Sequence, residues 1–179
     1  MEEAADCKLF FANIEQWGPA AQGFMRKQAE AYDVLGMVET HKRGQQLEAA
    51  KVELSKDGWK CVATPARWSG KSATGTTGGE WIVSRKTTAI TSFEGLRRSE
   101  IARTGKDPFA GIAPALWHTK TGNIIVISLY LLPGQRLRGD NEQVLVRVSS
   151  FLKLMKDPWI IMADWNVPRQ NGRTARSIG

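Results

Sequence analysis

At 179 residues, with 42% hydrophobic and 24% charged side chains, the chain has the make-up of a globular domain and not of a disordered, collagen-like or disulfide-scaffold protein. A domain of this size hides about 70% of the surface its unfolded chain exposes, so residues 1–179 are expected to form a single domain around a core of their own. The formal charge of +7 favours a polyanionic partner. No apolar run reaches the ~20 residues of a membrane span, and the acidic Met1-Glu2-Glu3 start is unlike a signal peptide. Cys7 and Cys61 lie far apart with no metal-ligand spacing, which supports neither a zinc site nor a disulfide framework and fits an intracellular compartment.

Along the chain, short β-like runs alternate with helical stretches. Strands are expected at about Lys8 to Ile14, Val34 to Glu39, Trp59 to Ala63, Glu80 to Arg85, Ile124 to Leu131 and Trp159 to Met162. Pro19 suits the first turn of a helix carrying Phe24, Gln28 and Tyr32, and Leu47, Ala50 and Leu54 mark a second. A later helix is the clearest. Asp140 with Gln143 has the spacing of a capping box, and Val144, Leu145, Val148, Phe151, Leu152 and Met155 share one face before Pro158. Two stretches read as loops, the Gly/Ser/Thr-rich Thr64 to Gly79 and the basic Gly95 to Pro114. Strands alternating with helices predict an α/β or α+β layered domain.

Most basic residues fall in the expected loops: Lys42-Arg43, Arg97-Arg98, Arg103, Lys106, Arg136, Arg138, Arg169, Arg173 and Arg176. Among the tryptophans, Trp59, Trp81 and Trp159 are expected in the core. Trp17 and Trp68 stand in loops, where they either pack on the domain or stack on a base. Gly70-Lys71-Ser72 superficially suggests a phosphate-binding loop, but the glycine that such a loop needs five residues before its Gly-Lys pair is replaced by Pro65, which has no backbone N–H to offer.

More informative are polar residues at the ends of apolar strands: Asn13, Glu39, Tyr130, Asp164 and Asn166. Brought to one edge, carboxylates, amides and a phenol can bind Mg²⁺ and a phosphate. The segments Phe10-Phe11-Ala12-Asn13-Ile14, Val38-Glu39-Thr40-His41, Gly78-Gly79-Glu80-Trp81-Ile82-Val83, Ser128-Leu129-Tyr130 and Ala163-Asp164-Trp165-Asn166 occur in the order of the motifs of the endonuclease/exonuclease/phosphatase superfamily. The sequence resembles that superfamily over nearly its whole length, and the Glu-Thr-His variant is most similar to the apurinic-type endonuclease domains of non-LTR retrotransposons.

The resemblance implies a DNase I-like, two-sheet β-sandwich flanked by helices. It also implies Mg²⁺- or Mn²⁺-dependent phosphodiester hydrolysis, with nucleic acid, and DNA in particular, as partner. Glu39 would bind the metal; Asn13 would help place metal or phosphate; Tyr130 would hydrogen-bond the scissile phosphate. Asp164 would orient or deprotonate the attacking water, and Asn166 would hold the phosphate. The chain departs from the pattern at Val38, Ala163 and Trp165, where the superfamily usually has Gln, Gly and Phe. A closing Asp-His motif is expected downstream of Asn166, and since the chain ends at Gly179, the last part of the second sheet and the histidine side of the site are expected to be missing. Neither His41 nor His118 is expected to replace that histidine. Two alternatives stay open: a non-catalytic nucleic-acid-binding or interaction remnant, and a phosphatase or RNA-cleaving relative.

Overall fold

The computed structural model describes residues 8–28, 30–70 and 75–166. In chain order the elements are β1 (Leu9–Asn13), α1 (Pro19–Gln28), β2 (Val34–Val38), α2 (Gly44–Lys56), β3 (Trp59–Ala63), β4 (Arg67–Trp68), β5 (Thr76–Thr77), β6 (Trp81–Arg85) and β7 (Ile90–Ser92). They continue with α3 (Glu94–Thr104), β8 (Ile112–Thr119), β9 (Gly122–Tyr130), α4 (Asp140–Leu154) and β10 (Trp159–Asp164). One four-stranded sheet runs β1-β2-β6-β3, a second runs β10-β9-β8-β7, and β4 pairs with β5 alone.

Period-two alternation along strands buried on both faces explains how the layers stack. In β2, Leu35 and Met37 face α1 and α2, joining Trp17, Met25, Leu47 and Leu54, while Val34 faces the second sheet. In β9, Ile125, Ile127 and Leu129 meet Val144, Val148 and Phe151 of α4, whereas Val126 turns inward. Between the sheets lie Val34, Ile82, Ala113, Ala115, Trp117, Val126 and Met162. Two buried hydroxyls stitch across this layer: Ser128 Oγ donates to the Met37 carbonyl at 3.1 Å, and Thr64 Oγ1 to that of Ile112 at 2.6 Å. The arrangement is the helix-flanked two-sheet sandwich expected from the sequence.

Several expectations change. The basic Gly95 to Pro114 stretch is not a loop: it holds α3 and the start of β8. Its arginines are neutralised within the helix and just beyond it, Arg97 by Asp107 and Glu94, Arg98 by Glu94, and Arg103 by Glu100. Gly105, at φ 68°, closes α3 in the left-handed conformation that glycine adopts without penalty. Pro114 is tolerated inside β8 because the β7 ladder stops at Ala115, leaving no partner there for the missing N–H. The first helix ends at Gln28, short of Tyr32, and the Thr64 to Gly79 stretch contains the β4–β5 pair.

The capping box does not form either. Gly139 is the N-cap of α4, which begins at Asp140 without a side-chain cap. Instead the Asn141 carboxamide, buried at 1% exposure, accepts from Leu132 N and donates to the carbonyls of Leu132 and Arg136. Trp59 and Trp81 are buried as expected, and Trp17 packs on Trp81 with ring centroids 5.0 Å apart. Trp159 is not core but 54% exposed, because it opens β10 at the edge of its sheet.

Candidate active site

Two crossovers set the site. β1 and β2 are parallel neighbours joined through α1, and β9 and β10 are parallel neighbours joined through α4. A parallel pair finishes at the same edge of its sheet, so register alone puts Asn13 beside Val38, one residue before Glu39, and Asp164 beside Tyr130. The two edges meet through Asn13, whose Nδ2 donates to Glu39 Oε2 at 3.0 Å and to Asp164 Oδ2 at 2.8 Å. Its Oδ1 accepts from Glu15 N at 2.9 Å, which turns the amide nitrogen toward the carboxylates. Tyr130 adds a hydrogen bond to Glu39 and another to Thr77.

The loop after β2 is held in an unusual backbone conformation. Glu39 and His41 have φ of 59° and 57°, a left-handed region that costs a non-glycine residue roughly 1 kcal/mol or more. Docking on a glycine pair compensates: Thr40 N donates to Gly79 O at 3.2 Å and His41 N to Gly78 O at 3.1 Å. Thr40 is fully buried, and a Cβ at Gly79 would collide with its Oγ1. His41 Nδ1 donates to the Thr76 carbonyl at 2.8 Å, tying the same loop to β5.

These loops enclose a cleft of about 490 Å³ whose lining includes Glu39, His41, Arg67, Trp68, Tyr130 and Asp140. Trp68 is 57% exposed, and the Arg43 guanidinium lies over its ring at 3.9 Å from the centroid. Burial pushes the Tyr130 phenol up, and its hydrogen bond to Glu39 and the charges of Glu39 and Asp164 push the same way. It therefore remains a protonated donor. Glu80, also buried, is pushed up to about 7 despite the lowering charge of Arg67.

Among the described residues no group of three or more His, Cys, Asp or Glu side chains gathers as a self-contained metal cage. The donor set nevertheless suits a hard divalent cation. Mg²⁺ keeps several waters and takes one or two carboxylates together with substrate phosphate oxygens, and Glu39 and Asp164 converge on one amide here.

Of the residues singled out in the sequence, Asn13, Glu39, Tyr130 and Asp164 thus come together in one hydrogen-bonded cluster. Asn166 lies beside them with φ 43°: its N donates to Asp164 Oδ1 at 3.2 Å and its Nδ2 to the Leu131 carbonyl at 2.8 Å. His118 stands at the opposite end of β9 from Tyr130, bonded to Thr91 and Asn123. Arg169, Arg173, Arg176 and the Lys71-Ser72 pair lie outside the described residues. Sequence reasoning missed Arg67, Thr77 and Glu80. The only signal for Arg67 was its place beside Trp68, and Glu80 read as the first residue of a strand.

No protein-family model and no curated protein matches the chain in sequence. Solved structures match in fold. The endonuclease domain of TRAS1, a telomere-specific non-LTR retrotransposon, superposes with a TM-score of 0.56 at 12% identity, covering 90% of this chain and 59% of that one. A 3′ phosphatase from Neisseria bound to product DNA hairpin gives 0.54 at 16% identity, over 90% and 58% of the two chains. The human Nocturnin catalytic domain with bound sulfate anion gives 0.56 at 15%, over 90% and 64%. The chain therefore spans less than two thirds of the length of these structures, and its fold is that of the endonuclease/exonuclease/phosphatase group to which the sequence motifs pointed.

Proposed function

We propose that this chain carries the carboxylate side of a divalent-metal phosphodiesterase site, with Mg²⁺ or Mn²⁺ as metal and DNA as substrate. The observation that carries the reading is the Asn13 bridge, which draws Glu39 of one sheet and Asp164 of the other onto a single amide beside Tyr130. A bound metal would neutralise charge developing on the phosphate. Glu39 and Asp164 are the carboxylates that would hold it, and Asn13 would swing its amide to join them or keep them aligned. Asp164 would accept the proton of the attacking water, its orientation fixed by Asn13 and by the backbone N–H of Asn166. Tyr130, kept protonated, would donate to a non-bridging phosphate oxygen, with the Asn166 amide beside it.

Nucleic acid is favoured over a small phosphate ester by the Trp68 ring at the cleft wall, backed by Arg43, which offers a stacking face for a base. The test is cleavage of abasic, nicked and intact DNA in Mg²⁺ by the chain and by a form extended at its C-terminus. Glu39→Gln and Asp164→Asn should each lower the rate at least about 100-fold with folding unchanged. Cleavage that survives both substitutions overturns the assignment. If nothing is cleaved but DNA is retained with a steep salt dependence, the alternative of a non-catalytic nucleic-acid-binding module takes its place.

A further inference from the structure

Arg67 projects from β4 into the wall of the cleft, yet its Nε and Nη2 atoms are buried and make no hydrogen bond among the described residues. The carboxylate whose charge it feels is Glu80, 1% exposed, and Glu80 Oε1 is likewise buried without a partner. No ion pair closes between them among the described residues. Both groups crowd around Gly78: a Cβ there would stand 2.7 Å from Glu80 Oε1, 3.7 Å from Arg67 Nη2 and 3.7 Å from Cδ1 of Tyr130. The guanidinium and the site tyrosine thus line the same cleft on either side of Gly78. A guanidinium buried with idle donors is costly unless an anion completes it.

The charge of the cleft points the same way. Its described lining holds two carboxylates, Glu39 and Asp140, and Arg67 is the one guanidinium or ammonium among them. A polyanion entering this cleft meets repulsion at Glu39 and Asp140, and Arg67 is the lining cation that opposes it. The α3 arginines are already paired, and Arg43 lies over the Trp68 ring and is not among the lining residues.

We propose that Arg67 is a phosphate-binding residue of the cleft, taking a phosphodiester of a nucleic-acid strand on the part of its guanidinium that lines the cleft, with the buried Glu80 carboxyl packed behind it at Gly78. This rests on the phosphodiesterase reading above. In that reading Arg67 fixes the substrate against Tyr130 and takes no part in proton transfer.

The experiment uses Asp164→Asn as background, so that a fluorescein-labelled DNA strand binds in Mg²⁺ without being cut, and reads affinity by anisotropy over a salt series. Adding Arg67→Ala should weaken binding about tenfold or more and reduce the salt slope by about one. Arg67→Lys should recover part of the affinity. Because Arg67→Ala leaves Glu80 alone in the core, the double variant Arg67→Ala/Glu80→Gln serves if the single one fails to fold, and it should show the same loss. Unchanged affinity and salt slope in either foldable variant, with only a lower melting temperature, would make Arg67 a purely structural partner of Glu80 and overturn the proposal. If binding weakens as expected while the Asp164 parent cleaves no DNA, the phosphodiesterase reading fails and the phosphate site stands.

Discussion

Glu80→Gln should abolish a pH dependence of stability that the parent protein shows between about pH 4.5 and pH 7. Burial raises the Glu80 carboxyl from 4.5 to about 7, against the lowering effects of Arg67 and of the hydrogen bonds from the backbone of Glu80 and Gly79, with Asp107 adding to the rise. A carboxyl raised on folding is protonated in the native state while the unfolded chain has already released its proton. Its contribution is therefore complete below pH 4.5 and is lost as pH climbs through about 7. At 1.36 kcal/mol per pH unit, the parent should lose on the order of 3 kcal/mol across that window. The assay is urea denaturation at pH 5 and pH 8 on both proteins, since subtracting the variant removes the contribution of the histidines. Parallel pH trends in the two proteins would refute the reasoning and mean that Glu80 stays ionised, held by Arg67.

Other outcomes follow from single contacts. Asn141→Ala removes three hydrogen bonds that pin Leu132 and Arg136 at the cleft rim, and should cost about 3 kcal/mol in chemical denaturation. Gly79→Ala places a Cβ against Thr40 Oγ1 and 3.3 Å from His41 N at a φ of +91°. It should destabilise by about 2 kcal/mol or more and, if Glu39 holds the metal as proposed, lower Mg²⁺ affinity in calorimetry. Trp68→Ala, at an exposed position, should leave the melting temperature unchanged and, if the cleft takes DNA as proposed, weaken single-stranded DNA binding by about 1–3 kcal/mol. Equal binding of parent and variant would remove Trp68 from the substrate path.

The strands that build the site were legible because they are apolar runs, buried on both faces in β2 and β6 and partly buried in β1 and β10, so β1, β2, β6, β9 and β10 announced themselves by composition. Their polar ends then stood out at Asn13, Glu39, Tyr130 and Asp164. What escaped was what context decides. β8 carries Pro114, which reads as a loop residue until the shortness of β7 is known. The third helix has no buried residue, so no apolar stripe marks it and its cluster of arginines reads as a basic loop. Arg67 and Glu80 approach the same glycine from either side of a two-stranded hairpin, a proximity with no periodicity to read. The Trp159 side chain failed for a related reason: an apolar run predicts a strand, but only the strand order says that β10 stands at an edge.

The Asn13 bridge makes the spacing of the two carboxylates a gauge of how the sheets are stacked. Two residues before Asn13 on β1 is Phe11, paired with Gly36 of β2, and two residues before Asp164 on β10 is Met162, whose Cε would stand 2.7 Å from a Cβ at Gly36. That layer is the hinge-pin of the gauge. A methyl group added at Gly36 would press on Phe11 and on the end of the Met162 side chain, one pleat below the site, without altering a single residue of the cleft. The reach of the site therefore extends into the sandwich interior, and its geometry is open to tuning from the core.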